Sequence, residues 1–119
     1  MREILFRGKS RDTGKWYQGD LVTVAHKRFI DDDIVKERVI PESIGQYTGL
    51  TDKNGKKIFE GDILKGMGGL HRVYFDTSLA CFEWAKINGN WKESFSGFAD
   101  EYEVIGNIHD NPELLEVTE

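Results

Sequence analysis

Short apolar stretches alternate with polar positions along most of this chain and are cut by glycine-containing turns; helical periodicity is scarce. Ile4 and Phe6 share one face of an extended segment, as do Leu21, Thr23 and Ala25, and Val73 with Phe75. Asn54-Gly55 separates strand-like runs 44–50 and 57–59, and Asn88-Gly89 separates runs 79–87 and 91–95. Both dipeptides predict two-residue hairpin loops of type I′, in which the two central residues take positive φ. Thr13-Gly14 predicts a third turn, between runs 4–7 and 16–24.

Run 79–87 is apolar on both faces, Phe82 and Trp84 on one and Cys81, Ala85 and Ile87 on the other, which predicts a strand in a closed or sandwiched sheet. Gly106 between Val104 and Ile108 marks a bulge, a bend or a close backbone approach. Gly19-Asp20 and Gly61-Asp62 stand in similar surroundings and read as turns into aliphatic strands, with the aspartate bonding back to the backbone. That echo allows two β-units, divided near Asn54-Gly55. Asn111 before Pro112, with Glu113 behind it, reads as the capped start of a short helix within 108–116, anchored by Leu114 and Leu115. Residues 26–37, His26-Lys27-Arg28 and then Asp31 to Asp33, read as a mobile loop or hairpin tip with solvated charge.

Leu, Ile, Val and Phe make up 32 of the 119 residues, enough for a packed core. Apolar runs never exceed four residues, so no membrane span is expected, and the first residues lack the apolar segment of a secretory signal. A lone Cys81 excludes an internal disulfide framework and a four-cysteine zinc site and fits a reducing cytoplasm. The net charge of −5 counts against a nucleic-acid coat. Residues 1–16 carry a net +3 and residues 100–119 a net −7, so the two ends can attract each other within the fold or between copies.

Motifs for chemistry are few. Asp31, Asp32 and Asp33 lack the spacing of a calcium loop and read as an acidic turn. His109, Asp110 and Glu113 would need a further metal ligand, such as His71 or Asp62, and read first as helix capping. Gly66-Met67-Gly68-Gly69 lacks both the Lys-Ser/Thr and the following helix of a phosphate loop, and reads as a flexible connector. Cys81 reads as a core thiol. No serine-hydrolase or zinc-protease motif occurs, and no catalytic set, cofactor or metal is expected. Nucleic acid could be engaged by Lys53, Lys56 and Lys57 at a hairpin tip with Tyr47 as a stacking platform; Arg7, Lys9, Trp16 and Tyr17 form a second basic-aromatic group.

Three blocks carry a family resemblance: Arg2 to Lys9 followed by Gly14-Lys15-Trp16, the run from Val39 to Leu64, and the ending from Val104 to Leu115. Together they resemble the YopX family of phage and prophage proteins across nearly the whole chain; 66–100 is the stretch without a recognised motif. The resemblance implies a bacterial host cytoplasm and a mainly β fold, with a small SH3-like barrel or roll, and it brings no catalytic residues. The expected organisation is an N-terminal hairpin region, 1–56, and a barrel region, 57–119, or one continuous domain. The expected function is a non-enzymatic module that binds a protein partner or another copy of itself, and the alternative is a single-stranded nucleic-acid binder.

Overall fold

The computed structural model describes residues 3–66, 69–87, 92–94 and 99–116. The chain divides into two compact units, Met1–Gly49 and Leu50–Glu119. Strands β1 (Phe6–Lys9), β2 (Trp16–Val24), β3 (Lys27–Asp31) and β4 (Lys36–Arg38) belong to the first unit, and β5 (Gly45–Thr51) carries the chain into the second. Next come β6 (Lys57–Phe59), β7 (Asp62–Gly66), β8 (Gly69–Asp76), β9 (Cys81–Lys86), β10 (Lys92–Ser94) and β11 (Glu103–Asn107). Hydrogen bonding orders them as β4-β3-β2-β1-β5-β6 in one sheet and β10-β9-β8-β7-β11 in the other. The fold is mainly β, as the alternation indicated.

In the first unit Ile30, Val39 and Tyr47 are buried. The Thr13-Gly14 turn forms as expected, pairing Lys9 with Trp16. Ser10 organises it: its hydroxyl donates to Glu37 at 2.7 Å and accepts the N–H groups of Asp12 and Thr13. The 26–37 segment takes the hairpin form, one of the two expected for it. Its tip is held by the Asp32 carboxylate, which accepts from the N–H groups of Ile34 and Val35. The tight turn before it, Ala25-His26, is closed by the Val24–Lys27 pair and places both residues at positive φ, 52° and 67°. Gly19-Asp20 makes no turn. It lies inside β2, where a side chain at Gly19 would collide with the backbone of Asp31.

In the second unit Ile58, Leu64, Val73, Trp84, Ala99, Tyr102 and Val104 form one buried cluster, with Leu50 packed against it. Gly61-Asp62 does turn into β7: Gly61 sits at φ 95°, and the Asp62 carboxylate accepts the Phe59 N–H at 2.7 Å. The β7–β11 ladder shifts register between Val104 and Gly106, the bulge that Gly106 announced. The 52–56 turn differs from the two-residue type I′ loop. Only Gly55 takes positive φ, and Asp52 closes a three-residue loop by accepting from Gly55 through its carbonyl and donating to the carbonyl of Lys56. The β9–β10 hairpin forms, with Lys92 opposite Ala85; its Asn88-Gly89 turn and Trp91 lie outside the described residues. Gly66 pairs with Gly69, so the glycine-rich segment joins two longer strands than expected, and Met67-Gly68 lies outside the described residues.

Two expectations need correction. Among the described residues neither sheet closes into a barrel; in the first unit residues 9–11 meet 38–40 through the isolated Ser10–Val39 bridge and two flanking main-chain hydrogen bonds. Coverage of β9 on both faces comes from core packing of Trp84 on one side and a buried Glu83, bonded by the Tyr74 hydroxyl at 2.9 Å, on the other. The short C-terminal helical turn forms where expected, as one 3-10 element, Pro112–Glu116, but without the expected Asn111 side-chain cap. The Asn111 side chain turns back to accept the Asn107 N–H, at 3.2 Å. No helix among the described residues is long and apolar enough to cross a membrane.

Asp52 joins elements far apart in sequence. One carboxylate oxygen accepts from Asn54 and Lys56 at 2.8 and 2.9 Å, and the other accepts from Val104 at 2.9 Å. Burial pushes its carboxyl up, but these three N–H groups and the Lys56 charge outweigh it and hold the group below the usual aspartate range. Asp52→Ala should cost about 3 kcal/mol in urea unfolding, because it strands buried donors. A lowered folded-state value means stability that is complete at neutral pH and is lost as the pH falls below about 4. The acid-induced loss should therefore be smaller in Asp52→Asn than in the parent.

Candidate anion-binding site

Five cationic or potentially cationic residues from three segments of the chain line one pocket of about 250 Å³ in the first unit: Arg11, His26, Lys27, Arg28 and Arg38. Val39, Ile40 and Pro41 complete its wall. No carboxylate lines it, and among the described residues none lies within ion-pair distance of these five side chains.

Backbone pairing assembles the group. Arg28 in β3 and Arg38 in β4 lie on neighbouring strands, and the Val39 N–H donates to the Arg28 carbonyl at 2.9 Å. The Arg11 N–H donates to the Arg38 carbonyl at 3.0 Å, which draws the turn after β1 onto the end of β4. His26 and Lys27 enter through the strained turn. Arg28 shares a strand face with the fully buried Ile30, so its side chain runs inward, and its Nε is buried without a hydrogen-bond partner. A buried guanidinium donor with nothing to bond costs stability unless something fills the site. Guanidinium groups present planar forks of donors that match carboxylate and phosphate oxygens, so a lining of this kind is chemically suited to an anion.

The residues singled out for nucleic acid lie elsewhere. Lys53, Lys56 and Lys57 all belong to the 52–57 segment of the second unit, and Lys53 lies 3.8 Å from Glu103 in an exposed ion pair. Tyr47 belongs to the first unit and is 8% exposed; its N–H donates to the Leu5 carbonyl at 2.8 Å. A buried ring offers no open face for a base. Arg7 is buried over the Trp16 ring at 4.8 Å. The Asp31 and Asp32 carboxylates are engaged by turn N–H groups, as is that of Asp62. The N–H groups of His109 and Asp110 both donate to the Asn107 side chain, and His71 is buried against the Trp84 and Tyr102 rings. Among the described residues no group of three or more His, Cys, Asp or Glu is arranged to hold a metal ion. Burial, Glu83 and Asp76 push the Cys81 thiol up, and burial with the Glu83 bond pushes the Tyr74 phenol up to about 12.

Sequence reasoning noticed His26-Lys27-Arg28 but treated it as solvated surface. The available signal was the absence of a good turn former at positions 25–26, where a two-residue hairpin favours Asn-Gly.

A family model described as YopX protein matches residues 5–116. The crystal structure of protein EF1440 from Enterococcus faecalis is 27% identical, covers 97% of this chain and 99% of its own, and superposes with a TM-score of 0.57. No curated protein matches the chain.

A site held against local stability should give stability back when dismantled. Replacing Ala25-His26 by Asn-Gly should raise the unfolding free energy by about 1–2 kcal/mol by relieving the left-handed strain. Arg28→Met should raise it by about 1 kcal/mol, by exchanging an unpartnered buried donor for an apolar side chain of similar reach. Urea denaturation of both variants measures this, and a loss of stability in both would contradict it.

Proposed function

Since the chain belongs to the YopX family, we propose that it is a phage or prophage accessory protein that acts in the bacterial cytoplasm by binding a protein partner and performs no catalysis of its own. The observation that carries this reading is the pocket of arginines, which offers unneutralised donors to an acidic segment. Val24, Ile34, Val35 and Ile40 are exposed apolar side chains of the same unit, and Ile40 also lines the pocket. Charge set beside apolar surface suits a peptide that carries both acidic and apolar residues. A second copy is also a suitable partner, since its residues 100–119 hold seven acidic side chains and neither Lys nor Arg.

On the same reading the second unit is a small SH3-like roll. Its strands β7 to β10 follow one another as a meander, a 3-10 turn at Ala99–Glu101 comes next, and β11 returns to pair with β7.

A fluorescent peptide with a run of glutamates, titrated at low salt, should bind the parent and lose binding to Arg11→Glu/Arg38→Glu. The affinity should collapse near 1 M salt, where screening acts within about 3 Å. Light scattering at low salt separates the two kinds of partner: a concentration-dependent rise in mass that the same double variant abolishes identifies a second copy. Equal peptide affinity for parent and variant would overturn the reading.

A further inference from the structure

We infer that the anchoring group this pocket accepts is a phosphomonoester dianion rather than a carboxylate. The inference rests on the binding role proposed above and names the chemistry of the group bound. Arg11, Lys27, Arg28 and Arg38 line the pocket together with His26, and no acid does. One carboxylate carries a single negative charge and leaves most of that cluster uncompensated. A phosphomonoester brings about −1.5 to −2 charge and three acceptor oxygens at neutral pH, enough to engage several forks at once. Arginine in particular suits this, since bidentate contact with phosphate oxygens is both strong and geometrically demanding.

Size and composition narrow the class further. About 250 Å³ is below the roughly 300–1,000 Å³ of typical small-molecule sites, so the pocket takes a phosphoryl group and a few attached atoms rather than a whole nucleotide. Val39, Ile40 and Pro41 give the carbon atoms next to the phosphate an apolar wall. A nucleic-acid backbone asks for a basic track along which successive phosphates lie. Here the cations meet at one place, in a unit whose nine Lys and Arg residues are nearly balanced by eight Asp and Glu.

The turn gives an independent sign. Ala25 and His26 both occupy left-handed backbone, where alanine and histidine are strained. Strain of this kind persists where function selects the side chain that it delivers. What it delivers here is an imidazole on the pocket rim, next to Lys27. Arg28 also lines the pocket, and its Nε is buried and unpartnered among the protein's own groups. A phosphoryl oxygen would satisfy it.

The chemistry is shared by a phosphorylated side chain of a partner and by free phosphate, and the test separates them. Calorimetry on the full chain should use inorganic phosphate, a short neutral peptide carrying one phosphoserine, the same peptide with glutamate in its place, and an oligothymidylate. The phosphoserine peptide should bind at least about tenfold tighter than the glutamate peptide. Arg38→Gln, and separately the exposed Arg11→Gln, should weaken it by about tenfold to a hundredfold with an unchanged circular dichroism spectrum. Inorganic phosphate binding as tightly as the peptide assigns a free phosphate; tighter peptide binding assigns a modified side chain. Equal affinity for phosphoserine and glutamate overturns the phosphoryl assignment and leaves the acidic-partner reading standing. Oligothymidylate binding more tightly than the phosphopeptide overturns it in favour of nucleic acid, and no binding by any probe overturns both readings.

Discussion

Main-chain hydrogen bonds, and not attraction between side chains, hold three arginines beside one another in the first unit. The Val39 and Arg11 N–H groups donate to the carbonyls of Arg28 and Arg38, and the Ile40 N–H donates to Lys9 at 2.9 Å. Left to themselves, like charges at this spacing would move apart. The strands prevent it, because their pairing is reinforced by Ser10 and Ser43. The Ser43 hydroxyl accepts the Lys9 N–H at 2.8 Å and donates to the Ile40 carbonyl, while Ser10 reaches across to Glu37. A preformed cationic site of this sort gives up little freedom when an anion arrives, which is the physical basis of preorganised recognition.

The acidic residues have a different occupation. Asp31, Asp32, Asp52, Asp62 and Asp76 all spend carboxylate oxygens on backbone N–H groups of their own turns, and Asp52 also reaches Val104. Carboxylates near turns satisfy donors that no strand partner can reach. Five of the 21 acidic side chains thus close loops, whereas no carboxylate lines the pocket.

How much of this was legible in the sequence depends on how local each device is. Hairpins around Thr13-Gly14 and Asn54-Gly55, the Gly106 bulge and the Gly61-Asp62 turn were legible because each is fixed by residues within a few positions of one another. Even there the loop at Asn54-Gly55 gained a residue, since Asp52 could bond two amides and sequence pattern does not weigh that competition. Gly19-Asp20 carried the same local letters as Gly61-Asp62 but is needed for close passage of Asp31, a contact between strands that no window of sequence contains. The pocket was invisible for the same reason. Arg11, Arg28 and Arg38 become neighbours only through pairing of β1, β3 and β4 regions, and each alone looks like an ordinary surface cation. Closure of the sheets was over-read, because apolar residues on both faces of β9 imply cover on both sides without saying that the sheet itself supplies it.

Electrostatics also limit how the pocket can work. A free anion approaching a molecule of net charge −5 gains nothing at distances beyond the Debye length, about 8 Å at physiological salt. Long-range steering would therefore contribute little, and affinity for the proposed anion would have to come from direct contact with the guanidinium forks and from desolvation against Val39, Ile40 and Pro41. Such a site discriminates by shape and hydrogen-bond count more than by charge alone.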